Sequence, residues 1–290
     1  MNAGPFRSLL FTPGNHPRKL EKVFAAGADV AILDLEDAVA LSEKPAARAP
    51  VIDALKAERA CMGYVRVNAA DTEFYADDLA AVTGPWLDGI MLPKVETAAQ
   101  LVSADAEITA LEDKHGMETG AIDLLPIIET AKGLDAVSAI AACGTRVRRL
   151  SFGAVDFAKD LNMRLSLDEW ELTPARAAIA LASRVAGLDA PLDSVWVHYR
   201  DTEGLVKSAE RVRDMGFQGK MCIHPDQVAP VNDAFTPGDD EVAKAETIVA
   251  AFEAAEAEGS ASIQIDGFFV DYPVVEQARR TLDRIKRIRG

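Results

Sequence analysis

The 290-residue chain has only three cysteines, Cys61, Cys143 and Cys222, far apart and without a CxxC pair. This excludes a thiolate zinc site and a disulfide framework, and it points to a reducing cytoplasm with the thiols acting as small buried apolar groups. Histidine is scarce as well, at four residues, and none has metal-ligand spacing. His16 and His115 read as surface or capping groups, and His198 and His224 as pocket candidates. No apolar run approaches the roughly 18 residues of a membrane span. Residues Met1 to Arg7 lack a basic stretch followed by a long apolar one, so neither a membrane partner nor a secretory leader is expected. Positive charge is in deficit, with 31 Lys and Arg against 46 Asp and Glu, a net charge of −15. Such a field repels nucleic acid, but local cations can still hold a small anion at short range. Nucleophile-elbow, Walker A and dinucleotide-binding glycine motifs are all missing.

What is present alternates. Short β-rich runs at Ser8–Thr12, Val30–Leu35, Tyr64–Val67, Gly89–Leu92, Leu124–Ile128, Arg149–Phe152, Ser194–Val197 and Lys220–Ile223 are separated by stretches with helical periodicity. These include Pro17–Ala26, Thr97–Lys114, Leu134–Ala142, Pro174–Val185 and Thr202–Met215, and several end at glycine (Gly27, Gly116, Gly187, Gly216). Eight βα units over about 225 residues match an α/β (β/α)8 TIM barrel, with a doubly wound open sheet as the alternative. A tail follows. Asp239–Glu258 reads as an Ala/Glu-rich helix, Ser262–Val270 as β-like and Pro273–Arg289 as a basic helix. The expected division is a catalytic barrel over residues 1–236 and a C-terminal helix and lid extension over 237–290.

A barrel carries its chemistry at the C-terminal ends of its strands. Polar residues collect there on every candidate strand: Thr12, Asp34-Leu35-Glu36-Asp37, Arg66 and Asn68, Lys94, Glu129, Asp156, His198-Tyr199 and His224-Pro225. Glu129 and Asp156 each follow an apolar run, on neighbouring strands, and two carboxylates plus water is the usual way to hold Mg2+ (or Mn2+). A helix cap or a salt bridge is the alternative for both. Arg66, inside an apolar strand, needs an anion: a substrate carboxylate or enolate oxygen, or the acidic turn of strand two. Alternation sends Asp34 and Glu36 to one side and Leu35 and Asp37 to the other. The cluster reads as support for Arg66, with Lys44, Arg48 or Lys94 lying between the carboxylates. A Schiff-base role for Lys94 is disfavoured, since nearby carboxylates keep it protonated. Gly153-Ala154-Val155 offers backbone amides to a substrate carboxylate, or is an ordinary tight turn. Arg18 and Lys19, on a helix near the mouth, are candidate phosphate ligands or a solvated helix face.

In order along the chain, Arg7-Ser8-Leu9-Leu10-Phe11-Thr12-Pro13-Gly14, Asp34-Leu35-Glu36-Asp37-Ala38-Val39 with Lys44 and Arg48, Arg66-Val67-Asn68, Leu92-Pro93-Lys94, Ile128-Glu129-Thr130, Phe152-Gly153-Ala154-Val155-Asp156-Phe157 and Ile223-His224-Pro225 resemble the citrate lyase β-subunit and malyl-CoA lyase family. The resemblance implies a magnesium-dependent carbon–carbon lyase. It would cleave or form a 3-hydroxyacyl-CoA dicarboxylate such as malyl-, methylmalyl-, citramalyl- or citryl-CoA, giving an acyl-CoA and a 2-oxo acid. It implies Mg2+ on Glu129 and Asp156, with Arg66 binding substrate and the developing enolate. Arg7, Glu129, Gly153, Ala154 and Val155 would also bind substrate, and Arg18, Lys19, His224 and Pro225 coenzyme A. Members are usually trimers or hexamers, and in several a C-terminal lid supplies an aspartate to the neighbouring subunit. Asp266-Gly267-Phe268-Phe269-Val270-Asp271-Tyr272-Pro273 resembles that lid, with Asp271 the expected acid/base residue and Asp266 its rival. A cap on the last helix is the structural alternative for Asp271. Two other functions stay open: a metal-dependent aldolase on free 2-oxo acids, and a lyase subunit that needs an acyl-carrier partner.

Overall fold

The computed structural model describes residues 4–265 and 267–289. Eight parallel strands close into a barrel in chain order: β1 (Ser8–Pro13), β2 (Val30–Asp34), β3 (Met62–Arg66), β4 (Gly89–Leu92), β5 (Asp123–Ile128), β6 (Ser151–Phe152), β7 (Leu192–Asp193) and β8 (Gly219–Cys222). Closure is direct, since β8 pairs with β1 through Ser8↔Lys220 to Leu10↔Cys222. The open-sheet alternative is thereby excluded. Around the strands run α1 (Pro17–Val23), α2 (Lys44–Lys56), α3 (Tyr75–Val82), α4 (Ala98–Lys114), α5 (Ala131–Asp135), α6 (Val137–Ala141), α7 (Ala154–Asp160), α8 (Thr173–Val185), α9 (Thr202–Asp214) and α10 (Val228–Phe235). The barrel unit extends from Phe6 to Asn232.

Local chemistry sets these bounds. Thr97 and Gln100 form a reciprocal capping box that starts α4. Gly187 and Gly216, just past α8 and α9, take φ of +73° and +94°, where a side chain would be strained. Two strands differ from expectation. β6 covers only Ser151–Phe152, and β7 lies at Leu192–Asp193, ahead of the expected Ser194–Val197. After Asp193 the chain turns to side-chain duties: Ser194 Oγ accepts from the Ala154 amide (2.8 Å), and the Trp196 carbonyl accepts from Gln227 Nε2 (2.8 Å).

Asp193 itself is fully buried beneath α8. It accepts from Arg176 Nε (2.9 Å) and Nη2 (3.0 Å) and from Lys220 Nζ (2.5 Å). Burial opposes its charge, but Lys220 and Arg176 outweigh burial and hold the carboxyl below the usual range. A depressed carboxylate stabilises the fold above its unfolded pKa, and that contribution is lost as pH falls through the folded value. Replacing Asp193 by Ala strands the buried Lys220 cation and removes one of the two carboxylates that hold Arg176, the other being Glu169 (3.1 Å). Urea denaturation at neutral pH is expected to show a loss of about 3–5 kcal/mol. An unchanged midpoint would mean the cluster relaxes to solvent.

At the opposite barrel end from the strand C-termini, Asp123 accepts from Tyr64 Oη (2.7 Å) and pairs with Arg149, whose guanidinium lies 3.8 Å from the Phe6 ring centre. This network plugs the lower end and leaves the other end for chemistry.

A second compact unit begins at Asp233. In it α11 (Asp239–Ala257) and α12 (Tyr272–Arg289) flank an antiparallel hairpin, β9 (Ile263–Ile265) and β10 (Phe268–Val270). Its core is Ala245, Ile248, Phe252, Val270, Val275 and Ala278. Among the described residues no helix is long and apolar enough to cross a membrane.

Candidate active site

The site is assembled at the C-terminal ends of β2 to β6. Arg66 ends β3 and Asp34 ends β2, in register. Asp34 accepts from Arg66 Nε (2.7 Å) and Nη2 (2.6 Å), a two-pronged pair that fixes the guanidinium plane. The same carboxylate accepts the amides of Glu36 (3.0 Å) and Ala38 (3.1 Å), so it also shapes the turn. Arg66 Nη1 lies 3.1 Å from Glu36 Oε2, and Arg66 packs 4.8 Å from the Phe11 ring centre. Burial works against the charge of Arg66, yet Asp34, Glu36 and Glu129 outweigh it and raise its pKa further. Nε and Nη2 of the fork are thus engaged by Asp34, while Nη1 faces Glu36 without a hydrogen bond to it. The structural pairing weighed for Arg66 is therefore present, and it orients the group without saturating it.

Glu36 joins the halves of the cluster. Its Oε1 pairs with Lys94 Nζ, and its Oε2, which has no hydrogen bond, faces Arg66. Burial raises the Glu36 pKa against Arg66 and Lys94. Lys94 keeps its proton: burial is outweighed by Glu36, Asp37 and Glu129, and its pKa is raised. That removes the Schiff-base reading. The backbone of Lys94 sits at φ +52°, a costly conformation for a side-chain-bearing residue. In that conformation its amide donates to Glu129 Oε1 (2.8 Å).

Glu129, just past β5, is only 2% exposed. Burial first, then the Glu36 and Asp156 carboxylates, push it up to about 8 against the pull of Arg66. Among the described residues neither alternative role is seen. Thr130, rather than Glu129, caps α5 by accepting from the Gly133 amide (3.0 Å), and no side chain caps α7, whose first turn carries Asp156. Gly153 explains how Glu129 fits: a Cβ there would fall 2.4 Å from Glu129 Oε2. A buried carboxylate with one amide partner, beside a second carboxylate, fits a divalent cation that supplies the missing positive charge. Among the described residues no third His, Cys, Asp or Glu completes a protein cage. Two protein ligands, with the rest left to water and substrate, is the arrangement Mg2+ favours.

The loop after β2 is locked from behind. Lys44 Nζ donates to the Leu35 carbonyl (3.0 Å), the Glu36 carbonyl (2.6 Å) and Asn68 Oδ1 (2.6 Å). Asn68 Nδ2 donates to Asp78 (2.6 Å), which also accepts from Arg48 Nε (2.7 Å). Lys44 thus braces carbonyls instead of lying between carboxylates, and burial lowers its pKa. Asp78 was missed from sequence. Its only signal is a second acidic residue in the first turn of α3, which looks like ordinary dipole compensation.

Four expectations are corrected. Arg7 is not at the mouth. It precedes β1 at the lower end, where it grips Asp29 through Nε (3.0 Å) and Nη2 (2.8 Å), so it cannot touch a substrate at the strand C-termini. The amides of Gly153 and Ala154 are not free for a carboxylate, because they donate to the Ile128 carbonyl (3.0 Å) and to Ser194 Oγ (2.8 Å). Alternation fails past Asp34, where β2 ends: Asp37 approaches the same cations as Glu36, lying 4.0 Å from Arg66 and 3.9 Å from Lys94. Of the cysteines, Cys222 is buried and Cys61 and Cys143 are half-buried. Burial pushes the Cys61 thiol up to about 11 and that of Cys222 up to about 12, so neither is a nucleophile.

Elsewhere on the mouth, Arg18 and Lys19 are exposed on α1, and His224 caps the turn at Pro225 by accepting from the Asp226 amide (3.2 Å). A cavity of about 710 Å3 between α1 and α2, lined by Leu20, Phe24, Pro50 and Arg59 among others, contains none of the groups described above. Asp271 immediately precedes α12 and is half-buried, and its carbonyl accepts from the Val275 amide (3.0 Å). Asp266 lies outside the described residues.

A TIM barrel with acidic groups and one arginine at its strand ends is a scaffold for metal-assisted chemistry on carboxylates. Residues 7–225 match the model of the HpcH/HpaI aldolase/citrate lyase family, and the chain belongs to that family. It is 36% identical over 282 residues to the citrate lyase subunit beta of Leuconostoc mesenteroides subsp. cremoris, covering 95% of this chain and 92% of that one. It is 39% identical over 300 residues to an L-malyl-CoA/beta-methylmalyl-CoA lyase of Cereibacter sphaeroides, covering 95% and 93%. Among solved structures it resembles CitE of Mycobacterium tuberculosis in complex with magnesium, acetoacetate and coenzyme A, with TM-score 0.80 and 33% identity over 98% of both chains.

Proposed function

We propose that this protein is a Mg2+-dependent lyase that cleaves, or forms, the carbon–carbon bond of a 3-hydroxyacyl-CoA dicarboxylate. The observation that carries the reading is the electrostatic meeting of Glu129 with Asp156, Glu36 and Arg66 at one end of the barrel. The names of its relatives, a malyl-CoA/methylmalyl-CoA lyase and citrate lyase beta subunits, support the substrate class.

Glu129 and Asp156 would hold the ion, which when bound supplies Lewis acidity toward the 2-oxo-acid end of the substrate. In the cleavage direction a base takes the substrate's hydroxyl proton. The bond between the carbinol carbon and the thioester's α-carbon breaks, giving a 2-oxo acid. The electron pair stays with the thioester as an enolate. The Arg66 N–H groups not bound to Asp34 stabilise that enolate oxygen, and Asp34 keeps the fork aimed. Lys94 offsets the negative charge of Glu36 so that the anionic substrate is not repelled. Asp271 protonates the α-carbon to complete the acyl-CoA. In a homo-oligomer Asp271 acts on a neighbour's site, a reading supported by the exposed Phe268 (60%) and Phe269 (64%) beside it, which suit burial against another chain.

A panel of hydroxyacyl-CoA esters and free hydroxy acids, with Mg2+ and with EDTA, tests the substrate class. Cleavage of the thioesters alone supports it, whereas cleavage of the free acids alone would make the protein a 2-oxo-acid aldolase. Activity only after addition of an acyl-carrier protein would make it a subunit of a larger lyase. Mixing inactive Glu129→Ala chains with inactive Asp271→Ala chains tests the shared site. Mixed oligomers are expected to regain part of the wild-type turnover, and no recovery would place Asp271 in its own chain's site or outside catalysis.

A further inference from the structure

The helix α8 is apolar on both of its faces. The inner face buries Ala175, Ile179 and Ala182, with Arg176 held by Asp193 and Glu169. A barrel helix ordinarily turns charged and polar residues to the outside, where water is. On α8 the outside carries large apolar groups instead. Trp170 (71% exposed) sits in the short 3-10 turn Trp170–Leu172 that runs directly into the helix, and Leu181 (66%) and Val185 (80%) follow along it. Pro174, Ala177 and the half-buried Ala178 lie between them. With 3.6 residues per turn, these six positions fall on one stripe about 100° wide. Scattered exposed apolar residues are ordinary, but a continuous stripe of them marks a surface that meets another surface.

The order of residues along the stripe says what that surface is. Outward from the Ala177–Ala178 step, Pro174 mirrors Leu181 and Trp170 mirrors Val185. In an antiparallel helix pair, positions equally far from the crossing point on opposite sides face each other. A second copy of α8 laid antiparallel on the first therefore sets Leu181 against Pro174 and Val185 against the Trp170 indole, twice, about a two-fold axis. Alanines at the crossing let the helix axes approach to about 8 Å. Charge selects the antiparallel direction. Asp168 and Glu171 mark the N-terminal end of the stripe and Arg184 its C-terminal end. Antiparallel pairing brings each basic end to the other copy's acidic end, whereas parallel pairing would bring like to like. We propose that the outer face of α8 is a two-fold contact between copies of this chain, centred on Ala177 and Ala178. It contains none of the residues assigned to the active site, and it holds whatever reaction that site performs.

Sedimentation and disulfide trapping test this without turnover. The wild-type chain should sediment as an even-numbered oligomer, and Leu181→Asp should sediment at half that mass with Tm unchanged, since Leu181 takes no part in the barrel core. Under mild oxidation Ala177→Cys should form an intermolecular disulfide, because the axis brings the two copies of that position within bridging distance. The wild-type chain, whose cysteines are all at least half-buried, sets the background. Val185→Cys should stay unlinked, because antiparallel pairing holds its two copies about 22 Å apart. Trp170→Cys combined with Val185→Cys should link across the contact. A monomeric or odd-numbered wild type, or a Leu181→Asp chain of wild-type mass, would overturn the proposal. So would trapping through Val185→Cys with none through Ala177→Cys, the pattern of a parallel contact.

Discussion

Glu129→Gln is expected to lose at least about a thousandfold in kcat with the barrel intact, because it removes a charge aimed at the reacting end of the substrate and keeps the shape. The buried environment makes this larger than a surface carboxylate would suggest. Glu129 accepts one backbone amide, sits under Gly153 and shares its space with Glu36 and Asp156. The same substitution gives an independent structural check. In metal-free protein the raised carboxyl pKa means that Glu129 favours folding below its unfolded pKa, and this contribution disappears as pH rises through about 8. The neutral amide does not pay that cost. With chelator present at pH 9, Tm of Glu129→Gln should equal or exceed that of the wild type, and the difference should shrink toward pH 5. A variant that is inactive and also less stable at pH 9 would point to a folding defect.

Arg66→Lys should lower kcat by about two to three orders of magnitude, with a smaller effect on KM. Lysine retains the charge but has no planar fork. It cannot hold both oxygens of Asp34 and stay beside Glu36 while also offering a donor to the substrate. Steady-state kinetics on the best thioester from the substrate panel would measure this. Near-normal kcat would mean that a point charge suffices and that the geometry fixed by Asp34 is irrelevant to catalysis. An unchanged kcat with a large rise in KM would assign Arg66 to ground-state binding.

Much of this arrangement was legible in the sequence because a barrel puts strand ends to one use. Arg66, Glu129 and Asp156 each follow or interrupt an apolar run, so burial of the run locates the polar group. The closed barrel follows from eight alternating units and the two tail helices from their composition, whereas the β-like stretch between them, Ser262–Val270, gives no sign that it folds back as an antiparallel hairpin. What was not legible depends on partners distant in sequence. Ser194–Val197 reads as strand seven, whereas the ladder runs through Leu192–Asp193, whose carboxylate is buried only because Arg176 and Lys220 meet it. Arg7 belongs to a motif that opens the barrel, yet it precedes β1 and faces the lower end. The Gly153 and Ala154 amides looked available until Ile128 and Ser194 were seen to accept from them. For Gly153 the reason for glycine is steric room for Glu129, which no local pattern reveals.

The most direct measurement is divalent-ion binding itself. Titration of the chelator-treated protein with Mn2+, followed by electron paramagnetic resonance, should give one site per chain. Affinity should fall in both Glu129→Gln and Asp156→Asn by more than the ~10–100-fold that outer partners of a metal site are worth. Undiminished binding in either variant, or no site in the wild type, would contradict the pairing of these two carboxylates around an ion opposite Arg66.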